Sequence, residues 1–189
     1  MYQGEVRTVE DRIYRGSLMD GKFHGHGELR NTDGSLFYKG TFNNGIFDGQ
    51  GEEHYSNGDF YIGTFKNNYA DGYGKMYTKE GFLFYKGSFK DGNFNGNGKL
   101  YRQDGVYIFK GLFKDDRPHG QGYSRNVSDD GSEKAYYENG VYIGRNKCSY
   151  CSTISSNKLQ TCGKCKKPRY CNAQCQRQDW TQHKHNCPT

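Results

Sequence analysis

Along most of the chain, large apolar side chains fall at alternate positions, with glycine or a charged residue between them. In Tyr38-x-Gly40-x-Phe42 the three named residues share one face of a strand, because strand side chains alternate with period two. The phrase returns from Tyr14, Tyr61, Tyr85 and Phe109, at successive offsets of 24, 23, 24 and 24 residues. About 11 residues after each start comes a Gly-x-Gly pair, as at Gly49/Gly51 and Gly96/Gly98. Turn chemistry sits between the two, in "NNGIFDG" and "KDGNFNG", and a second turn follows in "NTDG", "YSNG", "TKEG" or "RQDG". Each of those second turns ends in a glycine suited to positive φ. Strand, turn, strand, turn, with no helix-length interval, predicts an antiparallel meander of hairpins. A fixed period over these copies marks a repeat architecture.

The repeat resolves an apparent conflict, since glycine weakens strands and the copies hold few aliphatics. A Tyr or Phe lying across a neighbouring glycine shields backbone that the glycine leaves bare. A glycine row beside an aromatic row lets large rings tile one sheet, with each copy supplying its neighbour's partner surface. The expected fold is an all-β, elongated, mostly single-layer array over residues 2–144, with irregular copies at its ends. "YQGEV" at Tyr2 reads as a truncated first copy and "YIGRN" at Tyr142 as a last fragment. The isolated His24, His54 and His119 are expected to be solvated. Side chains free of the aromatic tiling include Lys39, Lys66, Lys86, Lys90, Lys110 and Lys114, with Asp48, Glu52, Asp71, Asp91 and Asp115 among them.

Composition changes this picture at one place. Aromatics make up 16% of the chain, which argues against disorder despite few aliphatics. Nearly all of the 27 glycines precede residue 147, and all seven cysteines follow it. The net charge of +6 arises from the tail, which has many Lys and Arg and a single acid, Asp179; the array is close to neutral. Basic asymmetry therefore raises a nucleic-acid or acidic-partner expectation for the tail alone. Mixed charge on the array is a poor match to an anionic lipid surface. No signal peptide and no run of about 18 apolar residues is present, so a cytoplasmic or nuclear location is expected. In such a reducing compartment, clustered cysteines read as metal ligands.

The tail runs Cys148-x2-Cys151-x10-Cys162-x2-Cys165-x5-Cys171-x3-Cys175-x7-His183-x3-Cys187. Seven cysteines and one histidine make two tetrahedral zinc sites with nothing left over, whereas disulfides would leave one thiol unpaired. Cys171 and Cys175 stand at i, i+4, as do His183 and Cys187, so short helices would put each pair on one face. His185 then points elsewhere. Spacing leaves two pairings open, sequential or interleaved. So short a segment buries little core, and metal must supply its fold. Seven thiolates and two zinc ions also remove about three positive charges from the tail, which weakens the nucleic-acid case.

Two resemblances follow from these residues. Tyr-x-Gly-x-Phe followed by Gly-x-Gly every 23–24 residues resembles the MORN repeat family, over about residues 2–144. "CGKCKKPRYCNAQCQRQDWTQHKHNC", preceded by "CSYC", resembles the MYND zinc finger over residues 148–187, with 145–147 as a junction. The finger resemblance implies a small α-helical fold and interleaved zincs, with Cys148, Cys151, Cys171 and Cys175 on one ion. Cys162, Cys165, His183 and Cys187 would hold the other. It further implies recognition of short proline-rich peptides, with Gln176 and Trp180 as contacts. Trp180 can equally pack the zinc core, and Gly163 after Cys162 offers no side chain to a peptide. A RING-type finger fits less well, because only one late histidine is present.

Together these features predict a non-catalytic adaptor that binds protein partners through both modules. The alternatives are a membrane- or phospholipid-associated scaffold and a regulatory part of a methyltransferase-type complex. Intrinsic catalysis is disfavoured: no phosphate loop, nucleophile elbow or open metal position is visible.

Overall fold

The computed structural model describes residues 1–125 and 132–144, together with the strand residues 146–147, 154–155, 160–161 and 169–170. Strands β1 (Tyr2–Arg7), β2 (Ile13–Met19), β3 (Lys22–Arg30), β4 (Leu36–Asn43), β5 (Ile46–His54) and β6 (Phe60–Lys66) open the chain. They continue as β7 (Tyr69–Tyr77), β8 (Leu83–Lys90), β9 (Asn93–Tyr101), β10 (Tyr107–Lys114), β11 (Arg117–Arg125), β12 (Ser132–Glu138) and β13 (Val141–Gly144). These 13 strands form one sheet in strict sequence order, the antiparallel hairpin meander that the alternation predicts. No helix occurs among the described residues, and the helices expected around Cys171–Cys187 lie outside them. Two compact units divide the chain, Met1–Ile108 with Phe113–Asp116, and Phe109–Leu112 with Arg117–Thr189.

Each long hairpin closes on two residues with positive φ, such as Asn44 (51°) with Gly45 (89°) and Asp91 (48°) with Gly92 (85°). Two consecutive left-handed residues match the twist of the flanking strands, and Asn, Asp and Gly tolerate them best. The turns also tie one copy to the next. The Gly45 amide donates to the Phe23 carbonyl at 2.8 Å, and Asn68 and Gly92 donate likewise to Phe47 and Ala70. Where glycine is missing from the turn, a side chain adds a bond: Asn68 Oδ1 accepts from the Phe47 amide at 2.7 Å, and Asp116 Oδ1 from Phe94 at 2.7 Å.

The core lies on one face of the sheet, here called the inner face. Glycines pair with glycines in a row that crosses the strands from Gly4 through Gly16, Gly27 and Gly40 to Gly98 on β9. The tyrosines of the first four copies, Tyr14, Tyr38, Tyr61 and Tyr85, lie over this row. A Cβ on Gly51 would sit 2.7 Å from the Tyr38 ring, and one on Gly27 2.5 Å from that of Tyr14. Tyr38 stacks on Phe47 with centroids 3.7 Å apart and rings 1° from parallel, and Tyr85 stacks on Phe94 at 3.8 Å. Phe42 and Phe65 meet Tyr38 edge-on at 5.0 and 5.1 Å. Rings thus bury rings, and Tyr14, Tyr38, Tyr61 and Tyr85 are 0% exposed.

A buried phenol needs a hydrogen-bond partner. Where β4 meets β5 the register slips between Gly40 and Phe42, and there the Tyr38 hydroxyl donates to the Thr41 carbonyl at 3.0 Å. Tyr14, Tyr61 and Tyr85 repeat the bond to Ser17, Thr64 and Ser88. Burial pushes the Tyr38, Tyr61 and Tyr85 hydroxyls well above the ordinary tyrosine range.

The one short offset has a structural cause. Register shifts by a residue where β3 meets β4 and where β7 meets β8, but β5 pairs with β6 without a break. Phe37 and Phe84 are the extra residues before Tyr38 and Tyr85, and Tyr61 lacks one. A 23-residue spacing is therefore a copy without that bulge.

Candidate interaction surfaces

Residues that alternate with the core project on the opposite, outer face. Because glycine pairs with glycine, the residue before the first glycine of a copy faces the residue after the second. One row across the sheet therefore reads Glu5, Arg15, Glu28, Lys39, Glu52, Ile62, Lys75, Lys86 and Lys99. In its first half the charges alternate in sign. Arg15 Nε lies 2.5 Å from Glu5 Oε2, and Lys39 Nζ lies 3.8 Å from Glu28 Oε2. Arg30 also pairs with Glu28. These partly exposed pairs are each worth at most about 1 kcal/mol.

The second half is basic and less polar around its charges. Ile62 stands directly across from Lys75. Tyr73, two residues before Lys75, faces Ser88, and both Ile62 and Tyr73 are exposed. Of the lysines noted from sequence, Lys39, Lys66, Lys90, Lys110 and Lys114 are exposed and Lys86 is half-buried. The register adds Lys75 and Lys99 to Lys86, a grouping that list misses. Its signal is the lysine after Gly-x-Gly in "GYGKM" and "GNGKL", read together with "YKG".

The histidines differ from expectation. The Nδ1 atoms of His24 and His119 are buried without a hydrogen-bond partner among the described residues. His54 Nε2 lies 2.7 Å from Glu52 Oε1, and its ring stacks on Phe60 at 5.1 Å. All three sit on strands, whose neighbours cover a side chain more than a turn would.

One acid departs from the inner-face pattern. Glu53 pairs with Tyr38 and Tyr61, where equivalent positions hold Leu29, Met76 and Leu100. Burial raises its carboxyl above the usual range, opposed by a hydrogen bond from Tyr55 and the charge of Arg12.

The predicted zinc ligands Cys148, Cys151, Cys162, Cys165, Cys171, Cys175, His183 and Cys187, and the peptide contacts Gln176 and Trp180, lie outside the described residues. Their flanks are described. β14 (Asn146–Lys147) pairs with β15 (Ile154–Ser155), and β16 (Gln160–Thr161) with β17 (Arg169–Tyr170), both antiparallel. Each Cys-x2-Cys thus falls in the segment that joins two paired strands, and β17 runs directly into Cys171. β14 also lies close to β17. Two closely spaced pairs of thiols, one in the sequence between β14 and β15 and one between β16 and β17, suit zinc. No helix among the described residues is long and apolar enough to cross a membrane.

Comparison with known proteins matches the two regions separately. The MORN repeat matches residues 14–36, 38–60, 61–81, 85–107 and 109–124, and the MYND finger matches 148–187. The N-lysine methyltransferase SMYD2 of Homo sapiens is 48% identical over 42 residues, which is 22% of this chain and 10% of that protein. SMYD2 of Bos taurus is 45% identical and SMYD2-B of Xenopus laevis 48% identical, over the same length and shares. The chain spans about a tenth of these relatives, so the likeness covers only a finger-sized segment.

Proposed function

The chain belongs to the MORN repeat family and carries a MYND zinc finger after the repeats, and from that premise we propose that it is a non-catalytic adaptor with two protein-binding surfaces. The observation that carries this reading is that both matched modules are interaction modules. Residues 2–144 form the array, 145–147 the junction and 148–187 the finger. The array offers the outer face of its sheet to a protein partner, while its inner face is used up by ring packing.

The finger holds two zinc ions. Cys148, Cys151, Cys171 and Cys175 bind one, and Cys162, Cys165, His183 and Cys187 bind the other. The MYND resemblance is what favours interleaving, since the spacing of the thiols fits either pairing. With four protein ligands per ion, no position is open for water, which suits a structural role. Gln176 and Trp180 then meet a short proline-rich peptide, the amide by hydrogen bonding and the indole by stacking on the extended ligand.

Calorimetry on the full zinc-loaded chain tests this with a Pro-x-Leu-x-Pro peptide and a scrambled control. Binding is expected, with Trp180→Ala weakening it about tenfold or more and leaving two zincs per chain. Absence of binding, or zinc loss in the Trp180→Ala protein, removes the peptide assignment. Cobalt substitution tests the pairing. Cys171→Ser should perturb the four-thiolate spectrum if the sites interleave, and the spectrum of the imidazole-containing site if they are sequential.

A further inference from the structure

Lys75 on β7 stands directly across from Lys86 on β8, and Lys86 directly across from Lys99 on β9. Like charges in directly opposed positions destabilise a sheet. No carboxylate among the described residues lies within ion-pair distance of any of the three. Lys99 has an aromatic neighbour, its Nζ 5.8 Å from the centroid of Tyr107. The fold does not demand lysines here, because the same row in β1–β5 alternates Glu5, Arg15, Glu28, Lys39 and Glu52. A cost taken on where the fold offers an alternative points to a ligand.

We propose that the Lys75–Lys86–Lys99 row docks an acidic α-helical segment of a partner protein, lying across the strands of the outer face. This rests on the reading of the array as a docking surface and names the chemistry of its partner. The geometry favours a helix. Adjacent strands lie about 4.8 Å apart, and an α-helix advances about 5.4 Å per turn. One Asp or Glu per turn therefore meets one lysine per strand, and over three strands the mismatch stays within the reach of a lysine side chain. Tyr73, 57% exposed, and Ile62, 41% exposed, offer apolar contact beside the charges. The length of the row also argues for a segment over a continuous polyanion. Past Ile62 the row meets Glu52 and then the alternating charges Lys39, Glu28, Arg15 and Glu5, so its basic character ends and a polyanion extending further finds no continuous positive surface.

Fluorescence anisotropy on the full zinc-loaded chain tests the assignment. The probe is a labelled helical peptide of about four turns with one glutamate per turn on a single face. Its control is an isomer of equal composition with the glutamates spread around the helix. The one-faced peptide should bind more tightly. The triple variant Lys75→Gln, Lys86→Gln, Lys99→Gln should weaken it about 5–50-fold at low salt, from three partly exposed ion pairs. Salt on the order of 0.5 M should weaken binding to the parent protein. Removing the same charge at strand ends, with Lys66→Gln, Lys90→Gln and Lys114→Gln, should change affinity by less than about twofold. Melting curves of both variants establish that they fold.

Equal loss in both triple variants, or no preference between the isomers, overturns the proposal. So does tighter, row-dependent binding of phosphatidylserine vesicles or a DNA oligonucleotide. Cross-linking of the full chain in cell extract separates the two levels of the argument. If peptides fail but partners cross-link elsewhere on the outer face, the docking surface stands and the acidic helix falls. If no partner cross-links to the sheet, both fall.

Discussion

The two faces of the sheet differ in how much they vary between copies. On the inner face, Tyr38 over Gly51 and against Phe47 is repeated as Tyr85 over Gly98 and against Phe94. On the outer face, the matching positions Lys39 and Glu52 become Lys86 and Lys99. The inner face can change little because a ring 3.7 Å from its neighbour and pressed on bare backbone leaves no spare volume. The outer face is free to change because exposed charges contribute little to folding. One face holds the repeat together, and the other distinguishes one copy from the next.

Substituting the glycine row should break this contrast most severely. An alanine Cβ at Gly51 would lie 2.7 Å from the Tyr38 ring. The ring cannot retreat, since Phe47 stacks on it and Phe65 closes its edge. Gly51→Ala should cost about 3 kcal/mol or more, as overpacking in a rigid site does. Gly34→Ala is the comparison, a turn glycine at φ 84° with open space around it. There only backbone strain remains, about 1 kcal/mol. Urea denaturation of both proteins measures the difference, and equal losses would mean that the ring can slide off the row.

Glu53 is the place where the inner face breaks its own rule. Glu53→Leu should stabilise the protein at neutral pH by about 1–2 kcal/mol, by removing a poorly solvated charge. The pH dependence carries the sign. Burial raises the folded-state value of this carboxyl, so its contribution is fully present below the unfolded value, about 4.3, and is lost as pH rises through the folded value. The advantage of the leucine variant should therefore shrink as the solution is acidified from neutrality. A constant gap in melting temperature would show that the Glu53 charge is already solvated.

A smaller gain should come from the fifth copy. Phe109 lies over Gly122 as the tyrosines lie over their glycines, but it has no hydroxyl for the carbonyl three residues on. Phe109→Tyr should add the bond that Tyr38 makes to Thr41, worth about 1 kcal/mol. Differential scanning calorimetry of the pair would reveal it, and destabilisation would mean that this copy packs differently from the others.

Much of this was legible in the chain itself. The 24-residue spacing and the Tyr-x-Gly-x-Phe phrase predict the hairpins, their order and the ring-on-glycine packing, because each follows from strand alternation and turn chemistry. The lone 23-residue offset carried information too, but a bulge is a matter of cross-strand register and is visible only once Tyr61 and Glu53 are seen to pair. The lysine row was hidden for the same reason. Lys75, Lys86 and Lys99 are separated by 11 and 13 residues, so no local window groups them. His24 and His119 misled because burial depends on what neighbouring strands bring over a residue. For the finger, the spacing of thiols gives the chemistry, while Cys148 and Cys171 leave their pairing to be measured.

The smallest expected effect on stability is the one most diagnostic of function. Lys86 lies between Lys75 and Lys99 as Arg15 lies between Glu5 and Glu28. Lys86→Glu would convert three opposed like charges into the alternating ladder already present in β1–β3. Stability should rise by about 0.5 kcal/mol, since cross-strand pairs of opposite charge replace pairs of like charge. The gain should fade in high salt, because the charges are partly exposed. Affinity for the one-faced acidic helix should fall further than in Lys86→Gln, since a repulsive carboxylate now stands in the middle of the row. A protein made more stable and less able to bind by one substitution would show that this row is held for its ligand. If Lys86→Glu leaves binding intact, the lysines are merely tolerated, and the variation of the outer face carries no function at that row.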